Sequence, residues 1–322
     1  MWVLPVIGVL VFAGSLLLGR YPRAGFIGPV GLLQDPMAMR VVWLLRLPRV
    51  LAAVCLGASL ATAGCAFQML FRNPLVEPGF LGVTQGAAFG AALAILTLSR
   101  IPGAVQACAV LFAVAGLALS YYSARKLRFG GWVIRMVISG LCVSALFAAG
   151  LGVLKYAADP LSELQEMTFW MLGGLGGITW GRLAGMAFLA VPGLLLLLLF
   201  RWRFNVLSLD DLTAFSMGTN PARERLLLLG AASVAVAGVT AAAGVIGWVG
   251  LLVPHVARRL YGPQGEQSVP ASLLLGSILT MVCDGAARSL FPYEIPLGIL
   301  TSLLGALLFL LLLTSGGVRI GG

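Results

Sequence analysis

Charge is scarce in this sequence. Only 10% of the 322 residues are Asp, Glu, Lys or Arg, while 60% are apolar or aromatic, and mean hydropathy is +1.02. A soluble domain carries about a quarter charged residues, so no soluble fold of this length hides the excess. The same composition excludes a disordered chain and a coiled coil. Lysine is limited to Lys126 and Lys155, and His255 is the single histidine. One histidine cannot assemble a triad or a metal site. The five cysteines (Cys55, Cys65, Cys108, Cys142, Cys283) are odd in number, lie in apolar runs and form no CxxC. They read as small packing residues, not as disulfides or metal ligands. GxxxxGK[ST], HExxH and GxSxG are all missing, which excludes Walker-type nucleotide binding and two common hydrolytic centres. A chain of midplane acids of the kind proton-coupled carriers use is missing as well.

What is present is a series of apolar runs divided by charge, Pro and Gly. A span takes about 20 residues, and the runs predict helices over 2–19, 47–71, 80–98, 103–123, 134–154, 182–200, 222–243, 245–261, 270–290 and 296–314. The division near 244 is the least marked, and a nine-helix alternative merges its two neighbours. The chain reads as one transmembrane domain, 1–322, with no separate soluble part. No basic residue precedes Arg20, so the first run reads as a retained span. With the N-terminus inside, the basic clusters 125–128, 201–203, 223–225 and 258–259 fall on the cytoplasmic side, while Arg20 and Arg23 oppose this orientation. The net charge of +10 is scattered over connections without an aromatic-interleaved basic surface. That pattern favours lipid headgroups and argues against nucleic acid.

Four segments stand out. In 203–225, Ser208 and Asp211 have capping-box spacing, Leu209, Leu212 and Phe215 recur every third residue, Gly218 can end a helix and Asn220-Pro221 can open the next. A short helix of about ten residues with one apolar stripe follows, either resting on headgroups or presented to a cytoplasmic partner. RNPLVEPGFLGVTQGAAFG (72–90) is rich in Pro and Gly. It is either a plain turn or irregular backbone at membrane depth, which must be buried or line a cavity. LLRLPRV (44–50) sets Arg46 and Arg49 three apart at an outer helix mouth, as interfacial anchors or as a carboxylate-binding cluster. Asp284 is an intramembrane acid with Arg288 one turn on, which could make it structural. Stripes such as Gly82/Gly86/Gly90 and Gly298/Ser302/Ala306 let helix backbones approach closely.

RLPRVLAAVCLGASLATAGCAFQMLFRNPLVEPGFLGVTQGAAFGAAL, FWMLGGLGGITW, GVIGWVGLLVPHVARRLYGP and YEIPLGILTSLLGALLFLLLL, in that order, resemble the FecCD-type permeases of bacterial ABC importers over about 40–314. The resemblance implies an all-α membrane protein of type II importer architecture, with about ten transmembrane helices per protomer, in the inner membrane. It implies a homodimer, two ATP-binding-cassette subunits below and a substrate-binding protein outside. The cargo would be an iron–siderophore, haem or cobalamin. The chain itself would be no enzyme and hold no cofactor, ATP and Mg²⁺ residing on the ATPase. By the same resemblance Arg46, Arg49 and Arg288 meet the binding protein. Residues 205–221, with Leu209, Asp210, Asp211, Leu212, Phe215, Met217 and Gly218, meet the ATPase. Thr84, Gln85, Gly131, Trp132, Ser139, Ser144, Gly298 and Ser302 fall on gates and pathway. Leu307 stands where the family commonly has Pro, and GGLGG (173–177) is closer to vitamin B12 permeases than to many siderophore permeases. Two alternatives from other classes are an ion-coupled secondary carrier and a membrane-embedded enzyme. The enzyme would have to use Asp159, Glu163 and Glu166, the only dense acidic group.

Overall fold

The structure is a computed structural model that describes residues 3–21, 25–28, 31, 34–290 and 292–314. Arg23 lies outside the described residues. The chain is a helical bundle: α1 (Val3–Leu17), α2 (Pro36–Leu70), α3 (Val83–Leu98), α4 (Ala104–Lys126), α5 (Trp132–Ala157), α6 (Glu163–Leu172), α7 (Trp180–Leu199), α8 (Arg203–Leu207), α9 (Asp211–Ser216), α10 (Pro221–Ala243), α11 (Val249–Tyr261), α12 (Gly265–Ser289) and α13 (Leu297–Thr314). A small hairpin, β1 (Leu18–Gly19) with β2 (Gly25–Phe26), pairs Leu18 with Phe26. Among the described residues, six helices are long and apolar enough to cross a membrane. With the shorter α1, α3, α11 and α13, all ten expected segments are helical.

The boundaries teach more than the count. Helix α2 begins at Pro36, eleven residues before the expected start at Leu47. Pro48 looked like a first-turn residue, because inside a helix it lacks an N–H and its ring clashes with the carbonyl four residues back. Here the preceding turn, Val42–Arg46, widens to π geometry, with the Leu47 N–H bonded to the Val42 carbonyl. The wider turn makes room for the ring, and Asp35 caps the true start by accepting from the Met37 N–H at 2.9 Å. The division near 244 is real. Gly244 (φ 75°) and Trp248 (φ 71°) take left-handed conformations, and α10 stops at Ala243. Helix α6 had not been expected. Its acids are used locally: the Asp159 carboxylate accepts from the Leu161 N–H and the Ser162 hydroxyl, and Glu163 accepts from the Asp159 N–H. Glu163 and Glu166 lie in its first turn, where the helix dipole favours negative charge.

Helix α2 is the buried centre of the bundle. Its face toward α12 is flat because Gly57 meets Gly276: a Cβ on either would overlap the other's carbonyl oxygen. The Thr280 hydroxyl bonds the Ala53 carbonyl across this contact at 2.7 Å. Without a hydrophobic force between helices in lipid, such close backbone approach holds the pair through packing and interhelical hydrogen bonds. In α11, Pro254 frees the Gly250 carbonyl. Gln68 of α2 takes it up, its side-chain amide donating to Gly250 (3.4 Å) and to Leu251 (3.2 Å). His255 bonds the Leu251 carbonyl through Nδ1 at 3.1 Å, a local structural use. All five cysteines are free thiols.

Candidate functional site: a cavity, an outer charge cluster and an inner knob

The Pro/Gly-rich stretch 72–82 does not turn outside the bundle. It folds back as the single turn Pro78–Leu81 against α5. Ser144, which donates to the Gly79 carbonyl at 3.5 Å, is twelve residues into α5, about 18 Å along the helix. The Leu81 carbonyl accepts from Ser120 at 2.9 Å. Side chains of neighbouring helices thus satisfy irregular backbone held at membrane depth, and the remainder borders a cavity. Gly82 makes the turn possible, at φ 78°.

Two adjoining cavities, of about 320 and 710 Å³, form the lobes of the candidate site and share Glu77, Phe80, Val245 and Gly247 in their walls. Thr84, Gln85 and Ser144 line the first lobe, and Gly298 and Ser302 the second. Five residues expected on the pathway therefore line the two adjoining lobes, three on one and two on the other. Glu77, not singled out from the sequence, is the one charged residue on either lining among the described residues; only its place in a Pro/Gly stretch hinted at it. Gly131, Trp132 and Ser139 do not line the cavity. Gly131 precedes α5 at the inner surface, and Ser139 is buried with its hydroxyl unbonded. Trp132 stacks on Phe71 with centroids 5.0 Å apart and lies under the Arg225 guanidinium.

The outer arginines turn inward. Arg46, only 5% exposed, donates to the carbonyls of Leu16, Leu17 and Tyr21 at 3.0–3.1 Å, closing the C-terminal end of α1. Arg288 also donates to α1, at the Ser15 carbonyl. Asp284, 1% exposed, binds Arg49 at 2.8 Å and Arg288 at 3.5 Å. Arg49 reaches on to Glu294, whose side chain is half exposed at the rim. Asp284 is thus the structural acid anticipated, with Arg49 the closer partner.

The inner connection corrects the expected capping box. Ser208 donates to the Asn205 carbonyl and caps nothing; Asp210 is the N-cap of α9, accepting from the Thr213 N–H (3.0 Å) and hydroxyl (2.6 Å). These bonds hold the Asp210 carboxyl below its usual range. The helix of about ten residues expected after Ser208 is shortened to α9, of six residues, and a separate five-residue helix, α8, precedes it. Gly218 ends α9 at φ 79°, and Asn220 caps α10 through the Arg223 N–H, both as expected. The connection is clasped to the bundle by Arg225–Asp211 (2.7 Å), Arg203–Glu224 (3.0 Å) and the Arg225 bond to the Leu207 carbonyl (3.2 Å). Its apolar residues point outward: Leu212 is 81% exposed and Phe215 69%, with Leu209 and Met217 exposed beside them.

A polytopic bundle with a midplane cavity, broken helices around it and an apolar knob on a clasped inner connection has the architecture of a transport permease driven by a separate subunit. The comparisons agree. The FecCD transport family model matches residues 6–315. The chain is 38% identical over 305 residues to the molybdate import permease of Haemophilus influenzae (92% of this chain, 89% of that one). It is 39% identical to an iron chelatin permease of Helicobacter pylori (84% and 81%) and 38% identical to the hemin permease of Yersinia pestis (86% and 84%). A solved structure described as an inward-facing conformation of a metal-chelate type ABC transporter superposes with TM-score 0.91 at 35% identity, covering 98% of both chains. This chain belongs to the FecCD transport family. It is a multi-pass inner-membrane permease of an ABC importer, a transport subunit rather than an enzyme, and the family implies an ATPase partner and a substrate-binding protein.

Proposed function

We propose that the protein is one half of a homodimeric conduit for a metal chelate, handed over outside by a binding protein and driven inside by two ATPase subunits that carry ATP and Mg²⁺. One observation carries the choice of cargo: among the described residues, Glu77 is the only charge on the cavity lining. A carboxylate with no cation beside it repels a bare oxyanion and suits a neutral or cationic chelate. In proteoliposomes holding the permease, its ATPase and its binding protein, a neutral or cationic ferric chelate or cobalamin should accumulate on ATP addition and molybdate should not. Uptake of molybdate alone refutes the choice.

The homodimer is supported by α5 and α13, which leave Leu141, Leu146, Leu303, Leu307 and Leu310 exposed on helices that also carry cavity-lining residues. The knob 205–221 is read as the ATPase seat, because Leu212 and Phe215 are apolar, exposed and rigidly clasped. Of the three outer arginines, Arg49 makes the docking contact by exchange: a carboxylate of the binding protein replaces Glu294 on Arg49, while Arg46, Arg288 and Asp284 keep the cluster in place. Glu294→Gln should therefore tighten binding-protein docking, measured by surface plasmon resonance on nanodiscs. Unchanged or weaker docking removes Arg49 from the role.

A further inference from the structure

Three arginines on three helices converge where α4, α5 and α10 meet, away from the cavity and from the outer cluster. Arg125 sits in the last turn of α4, Arg135 in the first turn of α5 and Arg223 in the first turn of α10. They line a cavity of about 420 Å³ together with Tyr121, Trp132 and Met136. No Asp or Glu lines it, and none of the three forms an ion pair among the described residues. Their neighbours differ. Arg203 and Arg225 are neutralised by Glu224 and Asp211, so the acid adjacent to Arg223 is already engaged. Arg135 gives one nitrogen to the Leu127 carbonyl at 3.3 Å, and its Nε is buried without a partner.

A concave site with three unpaired guanidiniums and no carboxylate calls for an anion. Guanidinium forks match phosphate oxygens. The surroundings name its source. Ile134, Leu226 and Leu227 are exposed apolar residues on the same helix ends, and Tyr121 and Trp132 are the amphipathic aromatics of a membrane boundary. We propose that this pocket holds the phosphate headgroup of an anionic phospholipid of the leaflet facing the ATPase. Arg125, Arg135 and Arg223 bind the phosphate, and the acyl chains lie along α5 and α10. Basic pockets between transmembrane helices on that side are suited to such headgroups.

The test uses the full chain in nanodiscs of phosphatidylcholine with a rising fraction of phosphatidylglycerol, read by native mass spectrometry and thermal midpoint. The wild type should retain phosphatidylglycerol and gain stability with its fraction. Arg125→Gln/Arg135→Gln/Arg223→Gln should lower retention about tenfold or more and lose most of the gain, while Arg100→Gln on the outer side behaves as wild type. Should the triple variant fail to fold, Arg223→Gln alone, an exposed first-turn residue, should still lower retention. Equal retention by variant and wild type overturns the site. Full stabilisation by inorganic phosphate in phosphatidylcholine alone overturns the lipid and leaves a free-anion site.

Discussion

Replacing Asp284 by Leu removes the one buried acid that two buried arginines share. Its carboxylate lies 2.8 Å from Arg49 and 3.5 Å from Arg288, with the side chains 2–12% exposed. Stranding a buried charge by deleting its partner costs about 3–5 kcal/mol, and here two are stranded. Arg288 keeps only the Ser15 carbonyl, and Arg49 keeps only Glu294 at the rim. A rim pair is worth about 1 kcal/mol or less, so Glu294→Gln serves as the internal scale. Unfolding in mixed micelles should show Asp284→Leu destabilised several-fold more than Glu294→Gln. Arg49→Met/Asp284→Leu/Arg288→Met, which removes the stranded charges as well, should recover much of the loss, because apolar replacements of buried ionic groups are often near neutral. The reasoning is refuted if Asp284→Leu costs no more than Glu294→Gln, or if the triple variant is the least stable of the three.

Three further outcomes are expected. Gly57→Val puts a branched side chain into the Gly276 carbonyl and should cost about 1–3 kcal/mol or more, whereas Gly14→Ala, with open space around it, should leave the thermal midpoint in place. Leu209→Asp/Leu212→Asp should leave the isolated ATPase active but abolish its stimulation by the binding protein in proteoliposomes; intact stimulation would reject the knob. The lowered carboxyl of Asp210 makes its cap complete above the unfolded-state value and lost only as pH falls through the lower folded-state one. Stimulation should therefore not fall between pH 7 and 5 on its account, while Asp210→Ala should weaken stimulation at pH 7.

The apolar runs were legible because span length and composition are local properties. So were the turn at Gly218 and the Asn220 cap, which need only the residues beside them. What was hidden depends on residues far apart in sequence. Pro48 hides the start of α2, since a π-widened turn upstream cannot be read from residue types. Ser208 has cap chemistry and cap spacing, yet its hydroxyl turns back to the Asn205 carbonyl and Asp210 takes the cap, a choice that residue types alone do not show. Arg46, Arg49 and Arg288 look like surface cations until α1, α2 and α12 are brought together. Glu77 joins the cavity only because Ser120 and Ser144, on other helices, take up the carbonyls beside it.

The unwound stretch after Ala243 has a mechanical consequence. Helix α10 is fastened at its foot by Arg225 to Asp211, and at its head the continuous ladder of main-chain bonds stops. A thrust delivered at the foot would travel up a stiff rod and arrive at 245–247. Those residues form a wall of the chamber, and the helical ladder does not run on through them into α11. The rod would thus deliver its stroke at the chamber wall before it reaches the helix beyond.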